Sequence, residues 1–154
     1  MICKPYFLPL LIAETPKRLP DCPSKGPRNS SAEMATALCD KLIQKQWLRY
    51  TDSSLIPHVG GIYVIGVKRS SKRAITYLYL GQSVDVHDRI KEHKYGDQKI
   101  DGFIRRNFRT NCGKDLRLKW IQEKKHKFKE RMYITCMEKK LDYKLKYNIK
   151  GGNN

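Results

Sequence analysis

The sequence has little negative charge, with 15 Asp and Glu residues against 32 Lys and Arg residues among 154. Its formal net charge of +17 attracts polyanions, chiefly nucleic acid. The excess is uneven, because residues 60–154 hold 24 basic and 10 acidic side chains and so contribute +14. An anionic membrane is the competing polyanion. The chain has no lipidation motif, and its apolar positions are needed for a core, so nucleic acid is favoured.

Paired cysteines and long apolar runs are also missing. The five cysteines form no CxxC pair, which argues against a disulfide framework or a zinc site and favours free thiols. No apolar run is long enough to span a bilayer. The opening "MICKPYFLPLLIA" is interrupted by Pro9 and followed by charged residues, so we expect no secretion signal. These absences predict an intracellular protein without a membrane partner.

The first part of the chain divides into a linker and a helix. Four prolines within residues 14–30 block both helix and central strand, because proline fixes φ and lacks an amide donor. We expect residues 1–30 to form an N-terminal extension and a proline-rich linker. Ser30 and Glu33 then form a capping-box pattern, and an apolar stripe at helical spacing follows. This predicts a helix and a connector over 31–59.

A hairpin is predicted next. "GIYVIGV" from Gly61 and "AITYLYLG" ending at Gly81 are rich in β-branched and aromatic residues, as strands are. Tyr63 and Tyr79 are both odd-numbered, so they share a face if the hairpin turns about a single residue such as Ser71. A loop of three or five residues centred there is an ordinary hairpin length and would put both rings on one surface.

The remaining patterns complete a small α+β domain. "SVDVHDRIKEHK" predicts a helix that carries Arg89 and His93 one turn apart, and "IDGFIRRNF" predicts another helix. "DLRLKWIQE" alternates as a third strand, and "KFKERMYITCMEKKLDYKLKYN" predicts a final helix. The order predicts a small three-stranded antiparallel sheet flanked by helices over 60–150, with one helix before it.

The order of these signals resembles the GIY-YIG nuclease domain. The elements are "GIY" at 61–63, "YLG" at 79–81, an Arg and a His four residues apart, a late Glu, and "YN". Leu80 stands where the second motif of the family has Ile. The resemblance covers about 60–150 and implies a domain that cuts DNA phosphodiester bonds through a single active site. It implies one divalent metal per site, Mg²⁺ or Mn²⁺, and no small-molecule cofactor is expected.

The resemblance also implies a role for each matching side chain. Tyr63 would act as the general base or position the attacking water, and Tyr79 would hold the water or the phosphate. Arg89 would bind the scissile phosphate, since a guanidinium fork matches phosphate oxygens. His93 would lie near Tyr63 and assist proton transfer, and Asn148 would brace the site.

The metal ligand would be a late glutamate, for which the sequence offers two candidates. Glu138 is favoured because Met137 and Leu141 give it buried flanks and "YN" follows. Glu130, on the same predicted helix, stays open as the alternative. A single carboxylate on Mg²⁺ leaves coordination positions for water and phosphate oxygens.

Basic side chains around the predicted site are expected to contact the DNA backbone, which gives affinity with little sequence preference. The expected contacts are Lys68, Arg73, Lys91, Arg105, Arg106 and Lys125. A nucleic-acid-binding module without catalysis and a basic protein of ribosomal type are the alternative interpretations. Nothing resembles a zinc finger or a helix-turn-helix, so DNA structure (branched or nicked), a homodimer or a partner would supply specificity. The nucleus or another DNA-containing compartment is the expected location.

Overall fold

The computed structural model describes residues 31–123 and 130–148. These residues belong to one compact unit that begins at Ser31. The expected linker 1–30 lies outside the described residues, as does Lys125. No helix in the described ranges is both long and apolar enough to cross a membrane.

Four α-helices, four strands and one 3₁₀ helix make up the described part of the chain. In chain order they are α1 (Ser31–Gln44), β1 (Leu48–Arg49), the 3₁₀ helix (Tyr50–Leu55), β2 (Gly61–Val67), β3 (Thr76–Ser83), α2 (Val86–Glu92), α3 (Lys99–Asn111), β4 (Leu116–Gln122) and α4 (Glu130–Leu141). The prediction of an α+β domain with helices around an antiparallel sheet is confirmed.

The described strands form one antiparallel sheet in the order β1–β4–β2–β3. Three strands were predicted, and the structure adds β1, in which Leu48 and Arg49 pair with β4. Two residues are too few to show an alternating pattern, so β1 leaves no signal in the sequence. The order places β3 at the edge of the sheet, directly beside β2.

The register of the hairpin puts Tyr63 and Tyr79 on one face. Tyr63 lies opposite Gly81, and Ile65 lies opposite Tyr79, so the two tyrosines are diagonal neighbours. The loop spans residues 68–75, so the predicted loop of three or five residues is too short. Strand pairing ends at Val67 and Thr76, before the turn. Ile65, which pairs with Tyr79, is two residues from Tyr63, so both tyrosines lie on the same face of the sheet.

A β-bulge at Leu78 sends Tyr77 to the other face of the sheet. Ile65 pairs with Tyr79 whereas Gly66 pairs with Tyr77, so Leu78 is the extra residue on β3. Strict alternation would have put Tyr77 and Tyr79 on the same face. Instead the two rings pack in different hydrophobic clusters.

The sheet separates two hydrophobic clusters whose burial stabilises the fold. The first cluster contains residues of α1 and α4 together with β2 side chains such as Val64. The second contains residues of the 3₁₀ helix, α2 and α3, for example Ile90, packed against Tyr63 and Tyr79. The two motif tyrosines therefore face α3 and α2, the helix that carries Arg89 and ends at His93.

The segment after α4, residues 142–148, covers the open edge of β3. The Tyr147 amide donates to the Leu78 carbonyl over 3.0 Å, and the Tyr77 amide donates to the Tyr143 hydroxyl over 2.8 Å. An edge strand otherwise leaves a row of backbone groups unpaired. The C-terminal segment thus holds the strand that carries the second motif.

Candidate active site

Tyr63, His93 and Asp101 form a buried hydrogen-bonded chain. The Tyr63 hydroxyl lies 2.7 Å from His93 Nε2, and His93 Nδ1 lies 2.5 Å from Asp101 Oδ1. A carboxylate only accepts, so Nδ1 carries the ring proton. In the neutral imidazole, Nε2 then accepts from the Tyr63 hydroxyl. The chain is therefore directed, with each proton donated from Tyr63 toward Asp101.

The three residues of this hydrogen-bonded chain come from three separate elements. Tyr63 lies on β2, His93 caps the C-terminus of α2, and Asp101 lies in the first turn of α3. The other carboxylate oxygen of Asp101 accepts from the Gln98 amide over 2.9 Å, within a capping box. The start of α3 thus fixes the carboxylate. Asp101 was not predicted as a site residue, because the sequence around it shows only a helix-start pattern, which ordinarily marks a helix cap.

The two motif glycines are required by close packing. A Cβ at Gly81 would lie 2.5 Å from the Tyr63 hydroxyl oxygen and 2.6 Å from the ring carbon that bears it. A Cβ at Gly61 would lie 2.1 Å from the Ile121 carbonyl oxygen on β4. Gly81 therefore makes room for the Tyr63 hydroxyl, and Gly61 lets β2 approach β4.

Tyr79 and Arg89 lie next to the hydrogen-bonded chain described above. The Tyr79 ring centroid lies 6.1 Å from that of Tyr63 and 5.4 Å from that of His93. Arg89 lies one turn before His93 on α2, with its side chain 33% exposed. Burial raises the pKa of Tyr79, Glu130 acts in the same direction, and Arg89 opposes both. Arg89 and Glu130 are thus within electrostatic reach of Tyr79.

Glu130 lies within electrostatic reach of Tyr79 and Arg89, whereas Glu138 is engaged elsewhere. Burial raises the pKa of Glu130, and the nearby Arg89 guanidinium lowers it. Glu138 lies eight residues further along α4, about 12 Å down the helix axis. Its carboxylate accepts from the Leu145 amide over 3.0 Å and from Lys144 Nζ over 3.1 Å. The glutamate that the sequence favoured therefore holds the C-terminal segment, and the alternative lies with the site residues.

Asn148 pairs with the backbone of the second motif. Its Oδ1 accepts from the Leu80 amide over 2.7 Å, and its Nδ2 donates to the Leu80 carbonyl over 2.8 Å. These two bonds imitate a neighbouring strand and fix the backbone between Tyr79 and Gly81. The contact fits the bracing role that the resemblance implies for Asn148.

Burial shifts the pKa values of Tyr63 and His93 in the hydrogen-bonded chain. It raises the pKa of the Tyr63 hydroxyl well above the ordinary value of 10.0, against the opposing effect of Arg89. It also lowers the pKa of His93 below the ordinary value of 6.5, although the bond to Asp101 acts in the opposite direction. At neutral pH Tyr63 is a phenol and His93 is a neutral imidazole. His93 is therefore the group that can take up a proton.

A basic groove borders the site on the side of α3. It is lined by Lys99, Gly102, Arg105, Arg106, Arg109 and Tyr147. The Tyr147 ring packs against Phe103 with centroids 5.3 Å apart, and Tyr147 immediately precedes Asn148. The groove therefore adjoins the edge of β3 that carries Tyr79. Two predicted DNA contacts, Arg105 and Arg106, lie on this surface and are exposed.

The other predicted contacts lie apart from the groove. Lys91 is exposed on α2, and Arg73 is exposed in the hairpin loop. Lys68 is half-buried at the start of that loop, five residues and so about 16 Å along the strand from Tyr63.

In comparisons with known proteins, no family model, no curated protein and no solved structure matches the chain. The resemblance to the GIY-YIG nuclease domain therefore stays a prediction from the motifs. The support for a function comes from the side-chain geometry together with that motif pattern.

Proposed function

We propose that the protein is a metal-dependent endonuclease that hydrolyses DNA phosphodiester bonds in the manner of a GIY-YIG nuclease. The observation that carries the proposal is the hydrogen-bonded chain from Tyr63 through His93 to Asp101, with Arg89 within electrostatic reach of Tyr63 and Glu130 within electrostatic reach of Tyr79. A buried tyrosine or a single helix histidine alone would be ordinary packing. Joined in one chain beside a guanidinium and a second carboxylate, they supply the groups that phosphodiester hydrolysis requires.

In this proposal Tyr63 relays a proton and is not a free phenolate base. The attacking water transfers a proton to the Tyr63 oxygen while the Tyr63 hydroxyl proton passes to His93 Nε2. The resulting imidazolium is stabilised by the Asp101 carboxylate at Nδ1, as in other acid–base chains. The water oxygen bonds to phosphorus, the bond to the leaving oxygen breaks, and solvent protonates that oxygen. The high pKa that burial gives Tyr63 is compatible with this role.

Arg89 is the proposed phosphate ligand. Its guanidinium stays charged at any working pH and offers two parallel N–H donors to phosphate oxygens. It is half-buried and acts electrostatically on both Tyr63 and Tyr79, so a phosphate bound to it would lie beside the proton path. Tyr79 would then hold the attacking water or a phosphate oxygen.

We assign the metal to Glu130 in place of Glu138. Glu130 fits a hard divalent cation, because its carboxylate oxygens are the preferred donors and burial disfavours its charge unless a cation is near. Bound there, Mg²⁺ or Mn²⁺ would supply positive charge against the phosphate and leaving oxygens. Glu130 would hold that ion, while Glu138 would keep the segment that carries Asn148 in place.

A nicking assay tests the proposal. Supercoiled plasmid is incubated with the full chain in Mg²⁺ and, in parallel, in EDTA. We expect nicked and then linear product with Mg²⁺ and intact plasmid with EDTA. A preparation that binds the plasmid but cuts it with neither Mg²⁺ nor Mn²⁺ would contradict the proposal and favour a binding module without catalysis. Branched, nicked and duplex substrates compared in the same assay identify the preferred DNA.

DNA binding through the basic groove is tested by its dependence on salt. Each phosphate neutralised lowers log K by about 0.9 per unit of log salt for duplex DNA. Replacing both Arg105 and Arg106 with Ala should therefore flatten the slope by about 2. An unchanged slope would exclude the groove as the DNA surface and leave the loop residues as the alternative.

A further inference from the structure

A second cluster of ligand-type side chains lies at the start of α2. His58, His87 and Asp88 each offer one ligand atom, and these atoms all lie within 4.8 Å of one another. His58 belongs to the connector before β2, and the other two belong to the first turn of α2. We propose that this cluster binds a divalent transition metal of the Zn²⁺ type, separate from the hard cation of the proposed active site. The inference does not depend on the proposed nuclease function.

The hydrogen bond of His87 leaves its second ring nitrogen available to a metal. Its Nδ1 lies 2.5 Å from the Ile56 carbonyl oxygen, and a carbonyl only accepts, so Nδ1 carries the proton. The neutral ring then leaves a lone pair on Nε2. Histidines that bind metals commonly donate their other N–H to a backbone carbonyl or a carboxylate. His87 is also buried, so its ring is held in this orientation.

His58 repeats the arrangement with a carboxylate in place of the carbonyl. Its Nδ1 lies 2.8 Å from Asp85 Oδ2, which leaves Nε2 of the neutral ring as an acceptor. The two imidazole centroids are 4.1 Å apart, and their planes are inclined by 40°. Two neighbouring imidazoles thus present lone pairs while their other nitrogens are already oriented by acceptors.

Asp88 supplies the carboxylate. Its side chain is 58% exposed, with Oδ1 3.6 Å from His58 Nδ1. The helix cap is provided by Asp85, whose Oδ1 accepts from the Asp88 amide over 3.0 Å. The Asp88 carboxylate is therefore not required as the cap of α2. Together the two aspartates give this corner a local negative charge in an otherwise basic chain.

The donor set selects the class of metal. Two imidazole nitrogens and one carboxylate oxygen suit Zn²⁺ and neighbouring divalent ions, whereas Mg²⁺ prefers an all-oxygen environment. Three protein ligands leave the fourth tetrahedral position for water. The cluster therefore differs in chemistry from the single carboxylate Glu130.

A metal at this position would tie the connector to the helix that carries Arg89. The two segments already meet through a hydrogen bond from the Val86 amide to the Val59 carbonyl over 2.9 Å. The connector leads directly into β2 and Tyr63. A ligand that binds only the folded chain stabilises it by mass action, so the bound ion would strengthen this corner.

The test titrates Zn²⁺ into the EDTA-treated and desalted full chain, with calorimetry and thermal unfolding as readouts. We expect one saturable site and a rise in the melting temperature. His58→Ala and Asp88→Asn alter exposed side chains and should each weaken that binding by at least about tenfold. Asp52→Asn, an exposed aspartate on the 3₁₀ helix, is the matched control and should bind as the unaltered chain does. Equal binding by His58→Ala, or no binding by the unaltered chain, would overturn the proposal.

Two controls separate this site from others in the chain. Co²⁺ bound by nitrogen and oxygen donors should give visible bands without the strong near-ultraviolet absorption of a thiolate complex, which would point to the cysteines instead. Glu130→Gln should retain the site that depends on His58, because Glu130 lies on α4. Loss of that site in Glu130→Gln would assign the binding to the proposed active site and reject a second one.

Discussion

Each face of the sheet buries a tyrosine hydroxyl against a nitrogen atom, but the two hydrogen-bonded networks run in opposite directions. Tyr77 accepts from Lys119 Nζ over 2.8 Å, and the same ammonium donates to the Ile43 carbonyl over 2.7 Å. Tyr63 instead donates to His93, which is backed by Asp101. One network ends at the neutral Ile43 carbonyl, and the other ends at the Asp101 carboxylate, which would stabilise an imidazolium in the proposed reaction.

The surroundings of the two pairs differ in the same sense. Lys119 is buried, and its Nζ lies 4.5 Å from the centre of the Trp47 ring, inside the core formed with α1. The Tyr63 pair has the partly buried Arg89 within electrostatic reach, and Arg89 and Glu130 both act on the neighbouring Tyr79 of the edge strand β3. Burial and a hydrogen bond are therefore not enough to define a site. The distinguishing feature is a directed hydrogen-bonded chain with the charged Arg89 within electrostatic reach of it.

The largest effect is expected at the proposed metal ligand, Glu130. Glu130→Gln should lower Mg²⁺-dependent cleavage by at least about 10³-fold, because charge stabilisation in the transition state is lost. The matched control is Glu138→Gln on the same helix, which keeps an oxygen for the Leu145 amide and should cleave within a few-fold of wild type. Single-turnover plasmid cleavage measures both variants. Loss of activity in Glu138→Gln but not in Glu130→Gln would instead assign the metal to Glu138, the glutamate that the sequence favoured.

Asp101 is expected to show the next largest effect. Asp101→Asn removes the charge that stabilises the His93 imidazolium, so cleavage should fall by about 10²- to 10⁴-fold while DNA binding is kept. Asp97→Asn alters an exposed aspartate just before α3 and serves as the control. Cleavage rates and binding isotherms on the same DNA check this. Activity unchanged in Asp101→Asn would remove Asp101 from the proton path.

The pH dependence follows from the lowered pKa of His93. The relay needs a neutral imidazole, so cleavage should fall about tenfold per pH unit below the His93 pKa, which lies below 6.5. The same protonation should destabilise the fold, since the unfolded chain takes up the proton at higher pH than the folded one. Stability from this group is complete above about pH 6.5 and is lost as the pH falls through the lower folded value. A cleavage limb centred above 6.5 would contradict this account.

Gly81→Ala tests whether the second motif makes room for Tyr63. Its Cβ would lie 2.5 Å from the Tyr63 hydroxyl oxygen, so the ring must move and stability should fall by about 1–3 kcal/mol. Cleavage should fall by about tenfold or more, because a small misplacement of a reacting group is costly. Gly102→Ala is the control: nothing lies within 4 Å of its added Cβ, and helix α3 should gain about 0.5–1 kcal/mol.

The smallest effect on cleavage is expected from Tyr77→Phe. The variant deprives the buried Lys119 ammonium of a hydrogen-bond acceptor and should cost about 1–3 kcal/mol of stability. Cleavage measured well below the melting temperature should match wild type. Loss of cleavage without loss of stability in Tyr77→Phe would give Tyr77 a role in the reaction. It would contradict the proposed difference between the two faces of the sheet.

Part of the fold could be predicted because it rests on local patterns. The composition of the two runs around "GIY" and "YLG" predicted two strands, which the structure confirms, and it allowed a shared face for Tyr63 and Tyr79, which the structure shows with a longer loop. The bulge at Leu78 and the two-residue β1 depend on long-range pairing, so no local pattern marks them. For the same reason Tyr77 could not be assigned to the opposite face from the sequence.

The candidate site was less predictable because its members meet only in three dimensions. Glu130 and Glu138 lie on one helix, and the choice between them depends on which end of α4 reaches Arg89. Asp101 is eight residues from His93 and looks like a helix cap, since it also accepts from the Gln98 amide. Its second role depends on where α3 packs against α2, which neither spacing nor composition reveals.

The most direct test of the central claim compares Tyr63→Phe with Tyr77→Phe under identical conditions. Single-turnover cleavage of supercoiled plasmid in Mg²⁺, DNA affinity and melting temperature are measured for both variants and for wild type. The account predicts that Tyr63→Phe loses at least about 10²-fold in cleavage while DNA affinity is unchanged, and that Tyr77→Phe cleaves as wild type does. Wild-type cleavage by Tyr63→Phe would contradict the proton path and the function built on it.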